Sequence, residues 1–190
     1  MDVNYWTEFY KNNNHLKEKS QFAFFVKTYI DDNMLNKNLN ILDLGCGNGR
    51  DTYYLSQFYK ITGCDLSIEL DNNDNYKFIK DNMVTMNKEN YNFIYMRFSF
   101  HSITNNDHDQ LLEGIKSNTY LAIETRSNKS SDINKVFGDN HYRNYTDYNY
   151  IIKLLNQHNF EILYKIESND LAIYKDENPI CIRIIAKKKI

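Results

Sequence analysis

Proline is nearly missing from this chain. It occurs once, at Pro179, among 190 residues, and glycine occurs only six times. No Pro/Gly/Ser-rich linker divides the sequence, and no internal repeat is visible. Residues 1–190 therefore read as a single domain. Cysteine is also scarce. Cys46, Cys64 and Cys181 are odd in number and contain no C-x-x-C pair. That excludes a disulfide scaffold and supplies no zinc ligand set, so buried reduced thiols and no metal are expected. No apolar run reaches the roughly 18–20 residues of a membrane span, and the polar N-terminus has no signal-peptide core. A cytoplasmic protein without membrane insertion is expected. Charge of one sign is lacking too, with 23 Lys and Arg against 25 Asp and Glu. Gripping nucleic acid by counterion release usually takes a basic excess, so nucleic acid is not an expected partner.

What remains is rich in rings. Aromatics make up 15% of the chain, with 16 Tyr and 11 Phe. A solvated coil would leave such rings nowhere to go, so disorder is excluded. Asparagine is abundant, as at Asn12, Asn13 and Asn14 or Asn72 and Asn73. Hydrophobic periods persist around these runs, which marks compositional bias rather than a prion-like tract.

The pattern alternates. Ser20 is placed to cap a helix over Ser20–Ile30. Asn40–Leu44 reads as a strand, and Asp51–Tyr59 as a helix with Tyr54, Leu55 and Phe58 on one face. Lys60–Cys64, Tyr76–Ile79 and Asn92–Met96 read as strands, followed by a helix near Asp107–Ile115 and a strand at Tyr120–Glu124. Thr146 is placed to cap a helix through His158. Phe160–Glu167 and Ile180–Lys187 are strands that can pair as an antiparallel hairpin. Alternating strands and helices build a parallel sheet covered on both faces. The expected fold is α/β, doubly wound and Rossmann-like, with an antiparallel hairpin at the C-terminal edge.

The informative stretch is Asp43-Leu44-Gly45-Cys46-Gly47-Asn48-Gly49-Arg50. A strand runs into glycines at alternate positions, and a helix follows. Such a bend lets backbone approach a ligand at the carboxyl ends of the strands. In a dinucleotide-binding fingerprint the third glycine would come one residue later. Asp43, just before the bend, favours a cationic amino group and repels a pyrophosphate. About twenty residues on, a second strand ends in Gly63-Cys64-Asp65-Leu66-Ser67, where an acid commonly takes two ribose hydroxyls. After the third strand come Asp81, Asn82 and Met83. Asp81 can accept from an adenine amino group, with Met83 against the ring. An ammonium-binding acid, a ribose-binding acid and an adenine site together suit S-adenosylmethionine.

Asp-Leu-Gly-Cys-Gly-Asn-Gly, followed by Gly-Cys-Asp-Leu-Ser, resembles the class I S-adenosylmethionine-dependent methyltransferases over nearly the whole chain. The family's two hallmark acids map onto Asp43 and Asp65. The resemblance implies a seven-stranded, mostly parallel sheet with its last two strands antiparallel. A narrower likeness rests on Tyr5-Trp6 through Tyr10, Arg97-Phe98 with His101, Phe137-Gly138 with His141-Tyr142-Arg143, and Tyr174 to Pro179. These resemble small bacterial and viral methyltransferases associated with surface glycans.

The expected cofactor site therefore comprises Trp6, Asp43, Gly45, Cys46, Gly47, Asn48, Gly49, Arg50, Asp65, Leu66, Asp81, Asn82, Met83 and Arg97. The acceptor site comprises Tyr10, Arg97, Glu124, Arg126, Tyr142 and Arg143. Residues 1–35, with Tyr5, Trp6, Phe9 and Tyr10, are expected as a helical cover over the cofactor. A sugar hydroxyl must lose a proton as the methyl arrives, which calls for a base. His101 is the first choice and His141 the reserve. Arg126 can also hold a phosphate, and the tyrosines at 142, 145 and 148 offer faces to a sugar ring. His15, His108 and His158 read as solvent or helix-end residues, and Lys187 to Lys189 as a solvated tail. The loop at Arg97-Phe98-Ser99-Phe100 lacks the prolines of base-amine methylases. Other small acceptors (thiol, metalloid or phosphorylated metabolite) stay open, as does a non-catalytic cofactor-binding role.

Overall fold

The computed structural model describes residues 3–12, 18–33, 38–67, 69–130 and 142–190. Two helices, α1 (Val3–Asn12) and α2 (Gln21–Asn33), precede the first strand, β1 (Asn40–Leu44). Then follow α3 (Arg50–Leu55), β2 (Lys60–Cys64), β3 (Tyr76–Ile79) and β4 (Phe93–Arg97). A 3-10 turn at Phe100–Ser102 leads to α4 (Asn105–Glu113) and β5 (Tyr120–Arg126). The chain closes with α5 (Tyr148–Gln157), β6 (Phe160–Ser168) and β7 (Cys181–Lys188).

The seven strands form one sheet in the order β3-β2-β1-β4-β5-β7-β6. β1 pairs in parallel with β2 on one side and β4 on the other. The strand order reverses at β1, so a crevice opens beyond the carboxyl ends of β1 and β4. Both faces are covered, which is why the central strands are apolar at consecutive positions. Leu42, Leu44, Ile94 and Met96 pack with Leu111 and Leu112 of α4 on one face. Ile41, Phe93 and Tyr95 pack with Phe22, Val26 and Ile30 of α2 on the other. Each fully buried aliphatic contributes about 1.5–3 kcal/mol. Ser20 caps α2, its Oγ accepting from the Ala23 N–H at 3.0 Å.

The C-terminal hairpin is antiparallel and forms one edge of the sheet, as the sequence pattern predicts: β7 pairs with β5 and β6, and β6 is outermost. Several local expectations need correction. α3 ends at Leu55, four residues before the expected Tyr59, and Phe58 beyond it is 47% exposed with its ring against Tyr54. The cap of α5 is Asp147, accepting from the Tyr150 N–H, while Thr146 bridges to Ser127. β5 continues two residues past Glu124, because Thr125 and Arg126 still pair with Ile182 and Cys181. His108 is not at the surface. It is 1% exposed, stacks on Phe100 at 3.7 Å, and its Nε2 lies 2.8 Å from the Phe100 carbonyl. His158 does sit at a helix end, beside Asp109. His15, Phe137, Gly138 and His141 lie outside the described residues. No helix among the described residues is long and apolar enough to cross a membrane.

Candidate active site

A cavity of about 790 Å³ occupies the crevice beyond β1 and β4. Its floor is the bend between β1 and α3. The Gly45 N–H donates to the Cys64 carbonyl at 2.8 Å, which ties the bend to the end of β2. Gly45 has φ +74°, and a Cβ there would lie 2.4 Å from Ser99 Cβ. Gly47 has φ +53°, and a Cβ there would lie 2.2 Å from the Tyr10 hydroxyl. Both positions disfavour a side chain by conformation, and Gly45 excludes one by space as well.

Three carboxylates surround this bend. Asp65, at the tip of β2, accepts from the Gly47 N–H at 2.9 Å and the Ser67 N–H at 2.8 Å. Asp51, in the first turn of α3, accepts from the backbone N–H and hydroxyl of Ser20 and from the Tyr95 hydroxyl, each at 2.7 Å. Asp43 is 3% exposed and accepts from the Thr52 hydroxyl at 2.6 Å. Burial pushes its pKa up to about 8, against the Thr52 bond and helped by the nearby Asp51 and Asp65 charges. The thiols of Cys46 and Cys64 are likewise pushed up by burial and stay protonated.

The Asp43 shift has a consequence for stability. Below about pH 4 the carboxyl is neutral whether folded or unfolded. As pH rises from about 4 to about 8, the unfolded chain ionises it and the folded chain does not, so stability falls across that window. Asp43→Asn, which cannot ionise, is expected to match the parent at pH 4. At pH 8 it should melt higher by roughly 5 °C or more. Equal melting temperatures at pH 8 would show that Asp43 ionises freely in the folded protein.

The opposite wall comes from the ends of β4 and β5. Arg97 donates from Nε to Glu124 at 3.1 Å, and Arg183 donates to the other Glu124 oxygen at 2.6 Å. Burial acts to lower the Arg97 pKa, but Glu124, Asp51, Tyr95 and Cys181 together outweigh it and the guanidinium stays charged. Burial raises Glu124, opposed by the same two arginines. Phe98 has φ +57°, unusual for a residue with a Cβ, and its N–H donates to the Glu124 carbonyl at 2.8 Å. Its ring lies under two guanidiniums, Arg97 at 4.4 Å and Arg126 at 5.4 Å. Arg126 also donates to Glu177 at 3.1 Å.

His101 is 3% exposed and lines the cavity. The Arg126 backbone N–H points at His101 Nδ1 from 3.3 Å, and the Thr125 hydroxyl lies 3.2 Å from the same nitrogen. A backbone N–H can only donate, so Nδ1 is the acceptor and the ring hydrogen sits on Nε2. Moving it to Nδ1 would leave the buried N–H unpaired, at a cost of about 1–3 kcal/mol.

α1 forms the cover. Tyr5, Trp6, Phe9 and Tyr10 all line the cavity and contact one another, Trp6 with Tyr10 at 6.0 Å. The Thr7 hydroxyl reaches the Ser67 carbonyl at 3.1 Å. Burial and the Asp65 charge raise the Tyr10 pKa, so the phenol stays neutral.

The cavity brings together most of the expected residues: Asp43, Gly45, Cys46, Asn48, Arg50, Asp65, Met83 and Arg97, with Trp6, Tyr10, His101, Arg126 and Arg143. Gly47 and Gly49 shape the bend without forming its wall. Leu66, Asp81 and Asn82 lie outside the lining, and the Asp81 side chain is exposed. Tyr142 is 47% exposed and also lies outside it. Glu124 is fully buried behind Arg97, where an acceptor cannot reach it, so the expectation that it holds substrate is corrected to a support for the two arginines. The reserve base His141 lies outside the described residues. Sequence reasoning missed Asp51 and Tyr95. Asp51 reads as an ordinary first-turn acid, and nothing local shows that it holds Ser20.

The family model described as a methyltransferase domain matches residues 15–165. A comparison with functionally curated proteins finds no match. Among solved structures, a SAM-dependent methyltransferase from Methanosarcina mazei superposes with TM-score 0.68 at 18% identity, over 85% of this chain and 97% of that one. One from Clostridium acetobutylicum gives 0.68 at 14% identity, over 98% and 99%. The 1,6-didemethyltoxoflavin-N1-methyltransferase of Burkholderia thailandensis gives 0.72 at 13%, over 98% and 86%. At such identities the likeness is one of fold. The family match spans the bend, the acids and the far wall alike, and by it the chain belongs to the methyltransferase domain family.

Proposed function

We propose that this enzyme takes its methyl group from S-adenosylmethionine and places it on an oxygen of a small, sugar-like acceptor. One observation carries the donor assignment. Asp43 is a buried carboxyl held near pKa 8 at a cavity wall, and a cationic ligand is what relieves that state. The residues present fit such a donor. The Asp51 and Asp65 carboxylates would repel a pyrophosphate. The buried Ser67 Oγ has no hydrogen-bond partner among the described residues, and Ser67 lines the same cavity. Asp43 would hold the ammonium group, Asp65 the ribose hydroxyls, and Met83 the adenine face. The donor, when bound, supplies an electrophilic methyl on a sulfonium.

The chain's own work is then positioning. The α1 rings exclude water from the sulfonium, and the far wall aims the acceptor within attack distance. Tyr5, Phe9 and Tyr174 line the same cavity as Arg126 and Arg143, and rings together with cations suit a sugar. The Burkholderia enzyme of similar fold holds bound 1,6-didemethyltoxoflavin, which supports a small acceptor here.

Calorimetry at pH 6.5 in buffers of differing ionisation enthalpy tests the donor site. Binding is expected to release close to one proton as Asp43 ionises, and Asp43→Asn should abolish that release. Failure of the donor to bind would refute the reading, and binding without proton exchange would remove Asp43 from the contact. A coupled assay for S-adenosylhomocysteine across sugars, sugar acids and nucleotide sugars then identifies the acceptor.

A further inference from the structure

The donor reading leaves one ligand group unanswered. Its ammonium falls to Asp43, its ribose to Asp65 and its adenine to Met83. On the same carbon as the ammonium the donor carries a carboxylate. That charge calls for a cation in the same part of the cavity.

Arg50 is such a cation. It opens α3 directly after the bend, lines the cavity and is half-buried. Among the described residues its side chain makes no hydrogen bond and no ion pair. A guanidinium carries five N–H donors and keeps its charge, so withdrawing it from water without a partner is costly. Burial and the nearby Arg97 charge both pull the Arg50 pKa down, against the weaker pull of Asp51, Tyr95 and Tyr10.

The acids lining the cavity are engaged elsewhere or exposed. Asp51, the next residue, accepts from Ser20 and Tyr95. Asp65 is held by the Gly47 and Ser67 N–H groups, and Glu177 by Arg126. Asp43 accepts from Thr52 and is held protonated by burial, and Glu18 is exposed. The other cations near this end differ from Arg50. Arg97 directs its Nε to Glu124, and Lys19 lies exposed over the Tyr54 ring.

Two opposite deficits therefore flank the bend. Asp43 is a buried carboxyl that a cation would relieve, and Arg50 is a half-buried guanidinium that an anion would relieve. The Thr52 hydroxyl, at 2.6 Å, ties Asp43 to the helical turn that Arg50 begins. A lone cation or a lone anion would satisfy only one of the two. A zwitterion satisfies both.

Resting on the donor reading above, we infer that Arg50 holds the carboxylate of the donor's amino-acid tail, so that the enzyme grips an α-amino acid by both of its charges and rejects adenosyl sulfides and sulfoniums that lack the carboxylate.

The probes are S-adenosylhomocysteine and S-adenosyl-3-thiopropylamine, the same molecule with hydrogen in place of the carboxylate. Calorimetry on the parent is expected to show about 30- to 100-fold tighter binding of the first, the range of a charge-assisted hydrogen-bonded pair. Arg50→Gln should weaken S-adenosylhomocysteine by roughly that factor and leave the decarboxylated ligand within about 3-fold, so that the preference collapses. Arg50→Lys, which keeps the charge but not the planar fork, should fall between the two. Asp43→Asn provides the contrast: both ligands carry the ammonium, so both weaken while the preference survives. A residue that merely supported the bend would weaken both ligands alike, and that result at Arg50 would overturn the inference. Unchanged S-adenosylhomocysteine affinity in Arg50→Gln would overturn it too, as would equal affinity of the parent for the two ligands, a comparison that needs no variant to fold. If neither ligand bound, the donor reading would fall with it. If S-adenosylhomocysteine bound without preference, only the role of Arg50 would fall.

Discussion

Asp65→Ala is expected to lower S-adenosylmethionine affinity by roughly 100- to 1,000-fold, the worth of about two charge-assisted hydrogen bonds. The effect has two sources. The carboxylate would be the acceptor for the ribose hydroxyls, and in the free protein it already holds the Gly47 and Ser67 N–H groups. Removing it frees the bend as well as the ligand contact. Asp65→Asn, which keeps one acceptor oxygen, should recover part of the loop order but little of the affinity. The measurement is calorimetric titration, with a melting curve to confirm folding. An unchanged dissociation constant in folded Asp65→Ala would remove the donor from this end of the sheet.

The largest effect on stability is expected at Glu124. This carboxylate is fully buried between Arg97 and Arg183, which come from β4 and β7. Glu124→Leu leaves both guanidiniums without their shared partner. Breaking a buried pair from one side costs about 3–5 kcal/mol. For a chain of this length that lowers the melting temperature by roughly 6–20 °C. Arg183 also lies over the rings of Phe22 and Phe25, so its release reaches α2. The double variant Glu124→Leu, Arg183→Met should recover part of the loss, because one stranded charge is removed with the carboxylate. A shift below 2 °C in the single variant would mean that water already screens the pair.

How much of this was legible in the chain varies with how local each cause is. Ile41, Leu42 and Leu44 announce a strand buried on both faces, and the glycines after it announce the bend, because both signals lie within ten residues. The place of β7 between β5 and β6 was not legible. It depends on pairing Tyr120 with Lys187 and Arg126 with Cys181, across about a third of the chain. Glu124 looked like a rim residue because the partner that buries it stands at Arg183. His108 is a different case. It lies three and four positions before the buried Leu111 and Leu112 on α4, so helical spacing placed it inward, and the polar neighbours Asp107 and Asp109 drew attention away. The tautomer of His101 leaves no mark in sequence at all. It is set by a main-chain group of β5, which every residue type carries.

The cover helix has one more property. Trp6 is the chain's single tryptophan, and it lines the cavity on α1. Its indole therefore emits from beside the place where a ligand binds. Entry of a donor or an acceptor changes the polarity and quenching around that ring. Emission intensity and wavelength follow site filling in real time, so the order in which the two substrates arrive can be read by stopped flow without attaching any dye.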